Sequence, residues 1–320
     1  MRYRQIPGSD LNPAVIAMGT GSLGSAVDRE TSFRLLDAYL DAGGNFIDTA
    51  KIYADWLPGE RSTSEKTIGR WLAARGNRSQ VILATKGAHP RLATMDVPRL
   101  SSRQITADLE ASLRHLGVET IDLYWLHRDD PARPVEDILG TLNRLAAAGK
   151  IRAFGASNWK LKRLKEAQAW AAKHGQQGFI ASQVYWNIGQ PDPERIADKT
   201  LVFMDLPAWR YHRDSGLAAL AYTSQAGGYF IRRVRGEPVS DQLLSIYHLA
   251  ENEARIQRIQ ALARQTGLSP AQISLGYLTS QPFPGYAIVG CKTLAQLVDS
   301  LSAADVMLTP TQVESLVWME

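Results

Sequence analysis

Short apolar runs alternate with segments of helical spacing along nearly the whole chain. Continuous apolar strands separated by helices indicate parallel pairing, with both faces of the sheet covered. Eight such units match a closed (β/α)8 barrel better than an open sheet, so we predict an α/β fold of the TIM-barrel type. The expected strands are residues 15–18, 46–48, 81–85, 121–126, 151–156, 179–184, 217–221 and 287–289.

The segments between and around these strands complete the prediction. We expect an N-terminal β-hairpin before the first strand and an extra C-terminal helix at residues 311–319. Residues 225–251 are polar and contain glycine, so we expect a loop over the barrel mouth. No linker-like stretch divides the chain, which predicts a single domain over residues 1–320. The other expected helices are residues 32–42, 64–75, 101–116, 135–148, 161–174, 254–266 and 294–303.

Composition excludes several classes of protein. The 320 residues are 45% hydrophobic, which is enough for a large core. The 36 Lys and Arg residues are interspersed with 32 Asp and Glu residues, which argues against a nucleic-acid surface. The one cysteine, Cys291, excludes an intrachain disulfide and a thiolate metal site, and is typical of a reducing compartment. With no signal-peptide core and no 18-residue apolar run, we expect a cytoplasmic protein without a membrane partner and without a metal.

Ionisable residues stand where three successive strands end. Asp48 closes the second apolar run, Lys86 follows the third, and His127 follows the fourth, while Tyr53 lies five residues beyond Asp48. The carboxyl ends of the strands of such a barrel all open on the face that carries the active site. We therefore expect these four residues, called the tetrad below, to converge on one site that could reduce a carbonyl group.

Five motifs carry a resemblance to a known family over essentially the whole chain. They read FIDTAKIY, ILATK, DLYWLH, FGASN and IASQVYWN. With these motifs the chain resembles the aldo-keto reductases. The resemblance implies that Asp48, Tyr53, Lys86 and His127 are catalytic and that an aldehyde or ketone is reduced to an alcohol by hydride transfer.

The tetrad also makes chemical sense by itself. A carbonyl that receives a hydride becomes an alkoxide and needs a proton, which a free phenol gives up reluctantly near neutrality. A lysine such as Lys86 beside Tyr53 would stabilise the phenolate and so make the phenol a better acid. Asp48 would hold that lysine by a charge-assisted hydrogen bond, and His127 could orient the carbonyl oxygen.

The resemblance further implies a nicotinamide cofactor, with NADP(H) expected and NAD(H) possible. Ser157, Asn158 and Gln183 match residues that hydrogen-bond the carboxamide, whose donor and acceptor need reciprocal partners. Tyr222 matches the ring that stacks on the nicotinamide, and Lys292 could neutralise a 2′-phosphate at a helix start. The remaining expected cofactor contacts are Gly19, Thr20, Gly21, Asp48, Thr223, Ser224, Gln225, Gly227, Gly290, Cys291, Gln296, Asp299 and Ser300. The family more often has Arg at the position of Lys292 and Glu-Asn at positions 299–300, so the preference between NADP(H) and NAD(H) stays open.

The substrate pocket is less clearly marked. Aromatic side chains beside a few polar donors suit a sugar-derived carbonyl, with a broad range of aldehydes and ketones as the alternative. A salt-bridged turn could also explain Arg128, and a core position could also explain Trp186. The residues expected to line the mouth are Trp56, Arg61, His89, Arg128, Trp186 and Phe230.

Two other functions remain open from the sequence. One is a nicotinamide-binding regulatory subunit with little turnover, like the potassium-channel β subunits that share the fold. The other is a (β/α)8 hydrolase or aldolase in which Lys86 would form a Schiff base. The resemblance requires no partner protein to complete the site, so we expect a monomer or a weak homo-oligomer acting on a small-molecule carbonyl or alcohol.

Overall fold

Eight parallel strands close into a barrel in the structure, a computed structural model that describes residues 1–317. Each strand pairs in parallel with the next along the chain, and β8 pairs back onto β1. The prediction of a (β/α)8 barrel is therefore confirmed. The strands are β1 Ile16–Gly19, β2 Phe46–Asp48, β3 Ile82–Gly87, β4 Ile121–Leu126, β5 Ile151–Ser157, β6 Ala181–Tyr185, β7 Ala218–Tyr222 and β8 Gly285–Val289.

Twelve α-helices accompany these strands within the described residues, and none of the twelve is long and apolar enough to cross a membrane. Their bounds are α1 Arg29–Asp41, α2 Thr63–Arg75, α3 Ser102–Leu116, α4 Val135–Ala147, α5 Leu161–His174, α6 Leu206–Ser215, α7 Tyr229–Arg235, α8 Asp241–Tyr247, α9 Ala250–Thr266, α10 Pro270–Thr279, α11 Leu294–Leu301 and α12 Pro310–Val317. The extra helix α12 was expected at residues 311–319, of which 318 and 319 lie outside the described residues.

The core has two layers because successive residues of a strand point to opposite faces. Phe46, Leu123, Trp125 and Tyr286 belong to the cluster inside the barrel. The alternate residues, such as Tyr124, belong to the larger cluster that packs between the strands and the surrounding helices. Burial on both faces explains why the strands are continuous apolar runs.

The N-terminal segment closes one end of the barrel. Its arms are joined by hydrogen bonds from the Ile6 N–H to the Leu11 carbonyl (2.9 Å) and from the Arg4 N–H to the Pro13 carbonyl (3.0 Å). Proline has no N–H, and the arms form one isolated antiparallel bridge instead of two regular strands. Ile6 and Leu11 belong to the inner core cluster, so this hairpin leaves only the opposite mouth of the barrel open.

The expectation of a loop at residues 225–251 is wrong. This segment contains α7 and α8, and α9 begins at Ala250. Gly236 ends α7 with a left-handed φ of 70°, and the Ser240 side chain caps α8 by accepting the Leu243 N–H. The buried residues Tyr229 and Phe230 pack α7 into the larger core cluster, so this segment consists of packed helices.

Candidate functional site

The tetrad comes together at the open mouth. Asp48 is the last residue of β2, Lys86 is the penultimate residue of β3, and His127 directly follows β4. The register places Asp48 beside Ala84, and Lys86 beside Trp125, so these strand ends lie side by side. Tyr53 reaches the same point from the turns after β2, since its hydroxyl lies 2.9 Å from the Lys86 Nζ.

Lys86 is the centre of this cluster. Its Nζ donates to the Asp48 Oδ2 (2.5 Å), to the Thr49 carbonyl (2.8 Å) and to the Tyr53 hydroxyl (2.9 Å). An ammonium group has three N–H donors, and each has an acceptor here. The side chain is 1% exposed, which keeps this geometry fixed.

The charge state of Lys86 follows from its neighbours. Burial by itself would lower the pKa of a lysine. The negative charge of Asp48 and the hydrogen bonds to Asp48 and Tyr53 outweigh that effect and raise the pKa of Lys86 above its ordinary value. Lys86 is therefore a cation at neutral pH and can stabilise a phenolate on Tyr53.

His127 is a neutral imidazole on the other side of Tyr53. Burial, together with the nearby positive charge of Arg128, lowers the pKa of His127 well below its ordinary value. The two ring centroids of Tyr53 and His127 are 6.0 Å apart. Within residues 1–317 the buried Nδ1 of His127 has no hydrogen-bond partner.

Three amide and hydroxyl side chains link the tetrad to the neighbouring strands. Gln183 in β6 donates to the Asp48 Oδ1 (3.0 Å). Asn158 donates to the His127 carbonyl (3.3 Å) and to the Ser157 hydroxyl (3.1 Å), and its Oδ1 accepts from the Tyr222 hydroxyl (2.5 Å). The structure thus brings Gln183 and Asn158 into contact with the tetrad, and Ser157 into contact with Asn158.

A cavity of about 630 Å³ runs from the tetrad along β7, β8 and β1, within the range of about 300–1,000 Å³ typical of ligand pockets. Except for the three carboxamide-binding residues, every expected cofactor contact lines it. Six further lining residues were not among the expected cofactor contacts or the tetrad. They are Ser22, Leu23, Gly228, Ile231, Arg232 and Ile288.

Charge and backbone shape suit this cavity to an extended anion. Lys292 and Arg232 line it with exposed side chains, and Asp299 is partly neutralised by Arg235 at 3.6 Å. A Cβ built on Gly290 would meet no atom within 4 Å, so the backbone there borders open space. A phosphate group could approach this end of the cavity closely, and the residues present fit a nicotinamide dinucleotide.

Unusual backbone geometry is concentrated at the mouth. Within residues 1–317, all six non-glycine residues with positive φ follow the carboxyl ends of strands. Such conformations usually persist where the surrounding structure holds them in place, often at functional sites. The six are Ala54, Ser62, Ala88, Asn158, Thr223 and Ala226.

Three of the expected substrate residues lie at the mouth. Trp56 is 54% exposed, and its ring centroid is 6.1 Å from that of Tyr53. His89 is nearly buried and its ring centroid is 4.7 Å from that of His127. Arg61 is exposed, but its guanidinium donates to the Asp55 carbonyl within its own loop.

Arg128 stabilises a loop. Its guanidinium donates to the Asp198 carboxylate (2.8 Å), the Thr200 hydroxyl (2.6 Å) and the His127 carbonyl (2.8 Å). The side chain is 6% exposed, so Arg128 is buried with its guanidinium held by these three acceptors. These contacts agree with the alternative that Arg128 is held by a salt bridge. Its partner, Asp198, lies after β6 and not in the expected turn at residues 129–131.

The structure does not bring Trp186 and Phe230 to the mouth. Trp186 is 5% exposed, and its ring packs with those of Tyr277 and Phe283. Phe230 is 1% exposed and packs edge-on against Tyr247. Both rings lie in the apolar layer outside the strands, so their expected role in substrate binding has no geometric support.

The fold and site together define a barrel oxidoreductase, and comparison with known proteins identifies its family. The family model described as "Aldo/keto reductase family" matches residues 15–318, nearly the whole chain. The chain belongs to the aldo/keto reductase family.

Curated relatives carry oxidoreductase names. The chain is 31% identical to an aryl-alcohol dehydrogenase [NADP(+)] of Phanerodontia chrysosporium, over 98% of this chain and 85% of that protein. It is 30% identical to an uncharacterised oxidoreductase of Bacillus subtilis, over 96% and 92%. A norsolorinic acid reductase of Emericella nidulans is 28% identical, over 90% and 71%.

Proposed function

We propose that this protein is an NADP(H)-dependent oxidoreductase that reduces aldehyde or ketone carbonyls to alcohols. The observation that carries the proposal is the contact between Lys86 and the Tyr53 hydroxyl, beside a cavity of dinucleotide size. The printed NADP(+) dependence of the Phanerodontia chrysosporium relative supports the choice of cofactor.

Tyr53 is the proton donor in this proposal. A bound reduced nicotinamide would supply the hydride for the carbonyl carbon. The contribution of this chain is the proton, which the Tyr53 hydroxyl would donate to the carbonyl oxygen. Protonated Lys86 stabilises the phenolate that remains, and Asp48 keeps Lys86 charged and in place. The neutral ring of His127 orients the substrate oxygen, and the reverse sequence would oxidise an alcohol.

The cofactor would occupy the long cavity. Ser157, Asn158 and Gln183 would bind the carboxamide, and the ring of Tyr222 would support the nicotinamide. Lys292 would face the 2′-phosphate, which is the group that distinguishes NADP(H) from NAD(H). All of these residues belong to one chain, so we propose that a monomer is sufficient for activity.

The exposed apolar side chains on two loops at the mouth favour an aromatic aldehyde as the substrate class. Trp56 and Leu57 on one loop, and Leu92 and Val97 on the next, are all exposed by 40% or more. An apolar rim suits an aromatic ring better than a polyhydroxylated sugar. The name of the aryl-alcohol dehydrogenase relative agrees with this preference, and sugar-derived carbonyls become the second choice.

The surroundings of Lys86 argue against Schiff-base chemistry. A nucleophilic lysine must lose its proton, whereas Lys86 has three acceptors around its ammonium and a raised pKa. A regulatory role with little turnover would leave the cofactor site intact, so only a turnover measurement distinguishes it from the enzyme.

Turnover of NADPH with a panel of benzaldehydes and aldoses tests the proposal, with Tyr53→Phe as the matched variant. The wild type should consume NADPH, whereas Tyr53→Phe should lose roughly 1,000-fold or more in kcat because no acid replaces the phenol. The affinity of the variant for NADPH should stay within a few-fold. Full activity in Tyr53→Phe would reject the role of Tyr53, and an inactive wild type that binds NADPH would favour the regulatory alternative.

A further inference from the structure

A buried carboxylate outside the tetrad connects the two loops that carry Tyr53 and His89. Asp108 lies in α3, is 4% exposed, and is part of none of the five motifs of the sequence. It accepts hydrogen bonds from one backbone amide and two cationic side chains. We call this group, formed by Asp108, Lys51, Arg99 and the Ala88 N–H, the Asp108 clamp.

The first arm of the clamp reaches the loop of the proton donor. The Lys51 Nζ lies 2.9 Å from the Asp108 Oδ1. The Lys51 backbone N–H also donates to the Lys86 carbonyl (3.0 Å). Lys51 stands two residues before Tyr53, so its side chain and its backbone both fix the approach of Tyr53 to Lys86.

The second arm reaches the loop of His89. The Ala88 N–H donates to the Asp108 Oδ2 (2.9 Å), and Arg99 donates to both carboxylate oxygens (2.9 and 3.1 Å). Arg99 also donates to the His89 carbonyl (3.0 Å). Ala88 has a φ of +59°, a conformation that an alanine keeps only when its surroundings hold it. The Asp108 clamp supplies that restraint, and it aims His89 at His127.

We propose that Asp108 is a positioning residue: it fixes the Tyr53 loop and the His89 loop relative to each other, and so sets the distance between the proton donor and the substrate oxygen. The inference rests on the proposed function, because it assigns Asp108 to the same carbonyl reduction. Misplacement of a catalytic group by about 1 Å can reduce a rate roughly 100-fold, so a clamp behind the site can matter as much as a contact within it.

The chain offers a matched control at the other end of the barrel. Asp122 is 3% exposed and, like Asp108, accepts from one backbone amide and two arginine or lysine side chains: Leu83 N–H (2.8 Å), Arg78 (2.7 Å) and Arg152 (2.7 Å). It lies near the start of β4, whereas the site lies at the strand ends. If the role of Asp108 were purely structural, substitutions of Asp108 and Asp122 should therefore have the same effect on kcat.

The test compares Asp108→Asn with Asp122→Asn. Asparagine keeps the size and an acceptor oxygen but removes the charge that holds the cations. We expect Asp108→Asn to lose roughly 10-fold or more in kcat for a benzaldehyde while its Kd for NADPH stays within about two-fold. Asp122→Asn should keep its kcat within about two-fold, although both variants lose stability. Equal values of kcat in the two variants would overturn the proposal.

If Asp108→Asn does not fold, substitutions of its two partially exposed partners, Lys51 and Arg99, test the proposal instead. Lys51→Met removes only the arm to Tyr53 and should lower kcat with little change in KM for the aldehyde. Arg99→Met removes the arm to His89 and should raise that KM more than it lowers kcat. Wild-type kcat and KM in both variants would overturn the proposal. A wild-type protein that binds NADPH but reduces no aldehyde would instead reject the proposed function, and the clamp with it.

Discussion

Lys86 shows how single residues create the chemistry of this site. A buried lysine without a partner tends to lose its proton, since burial disfavours the charged form. Asp48, the Thr49 carbonyl and the Tyr53 hydroxyl surround its ammonium completely. The lysine is thereby kept as a cation whose ammonium donates to the hydroxyl of Tyr53, the proposed proton donor.

Lys292 should determine the preference between the two nicotinamide cofactors. We expect Lys292→Met to weaken NADPH binding roughly 10-fold and to leave NADH binding nearly unchanged, because one charge-assisted contact to the 2′-phosphate is lost. Fluorescence titration of both nucleotides measures this, with the exposed Lys173→Met on α5 as the control. An equal loss for both nucleotides would reject a role at the 2′-phosphate.

His89 should make the folded state sensitive to acid. Burial, with the charge of Arg128, lowers the pKa of His89 to about 4, while an unfolded chain binds that proton at about 6.5. Its contribution to stability is therefore complete above about pH 6.5 and decreases as the pH falls towards 4. Between about pH 7 and pH 5 we expect a loss of about 2 kcal/mol from this residue.

Urea unfolding at the two pH values checks this expectation. His89→Gln should lose about 2 kcal/mol less than the wild type on acidification, because its side chain does not titrate. The buried His127 and His212, whose pKa values are also lowered, remain in the variant and serve as a common background. Equal losses in the two proteins would contradict the argument.

Residues at strand ends could be placed from the strand pattern alone, whereas residues beyond them were placed only where the family resemblance covers them. The positions of Asp48, Lys86 and His127 follow from the strand pattern, since the barrel dictates where each strand ends. Trp186 and Phe230 stand outside the regular strand alternation, so the sequence does not say which face their rings take. The structure places both rings in the outer layer. Arg232 and the Asp108 clamp depend on contacts between distant segments, which no local motif reveals.

Close packing of helices gives a test at the level of elements. A Cβ built on Gly69 in α2 would lie 2.3 Å from the His115 carbonyl oxygen of α3, whereas one on Gly140 in α4 meets only the tip of Arg144 at 3.7 Å. We expect Gly69→Ala to destabilise the protein by about 2 kcal/mol because α2 and α3 must separate. Gly140→Ala should stabilise it by about 0.5–1 kcal/mol through helix propensity. Denaturant midpoints measure both, and a stabilising Gly69→Ala would contradict the packing described here.

Elements with a clear hydrophobic period could be predicted, and those without one could not. The helices between β1 and β6 match their predicted positions to within a few residues. α10 is buried over eight of its ten residues, so it has no polar face to give a helical period. α7 and α8 are short and end near glycines or polar caps, which made residues 225–251 resemble a loop. Their packing on the barrel outweighs those local signals.

At the scale of the whole molecule, one end of the barrel is closed and the other carries the candidate site. The N-terminal hairpin fills one end, where the Tyr286 hydroxyl donates to the Arg4 carbonyl (2.8 Å). The other end carries the tetrad and the long cavity. The closed parallel barrel was predictable because it follows from eight repeats of one pattern. The contact of the hairpin with Tyr286 joins residues 282 positions apart, so it could not be predicted from local sequence.

Titration of the intrinsic fluorescence with NADPH, and separately with NADH, tests the central claim most directly. The chain has eight tryptophans, and Trp56 lies beside Tyr53 at the mouth of the barrel, so a bound nicotinamide should quench the emission. We predict saturable quenching by both nucleotides, with a lower Kd for NADPH. Absence of binding by either nucleotide would contradict the assignment of the cavity and the reductase function built on it.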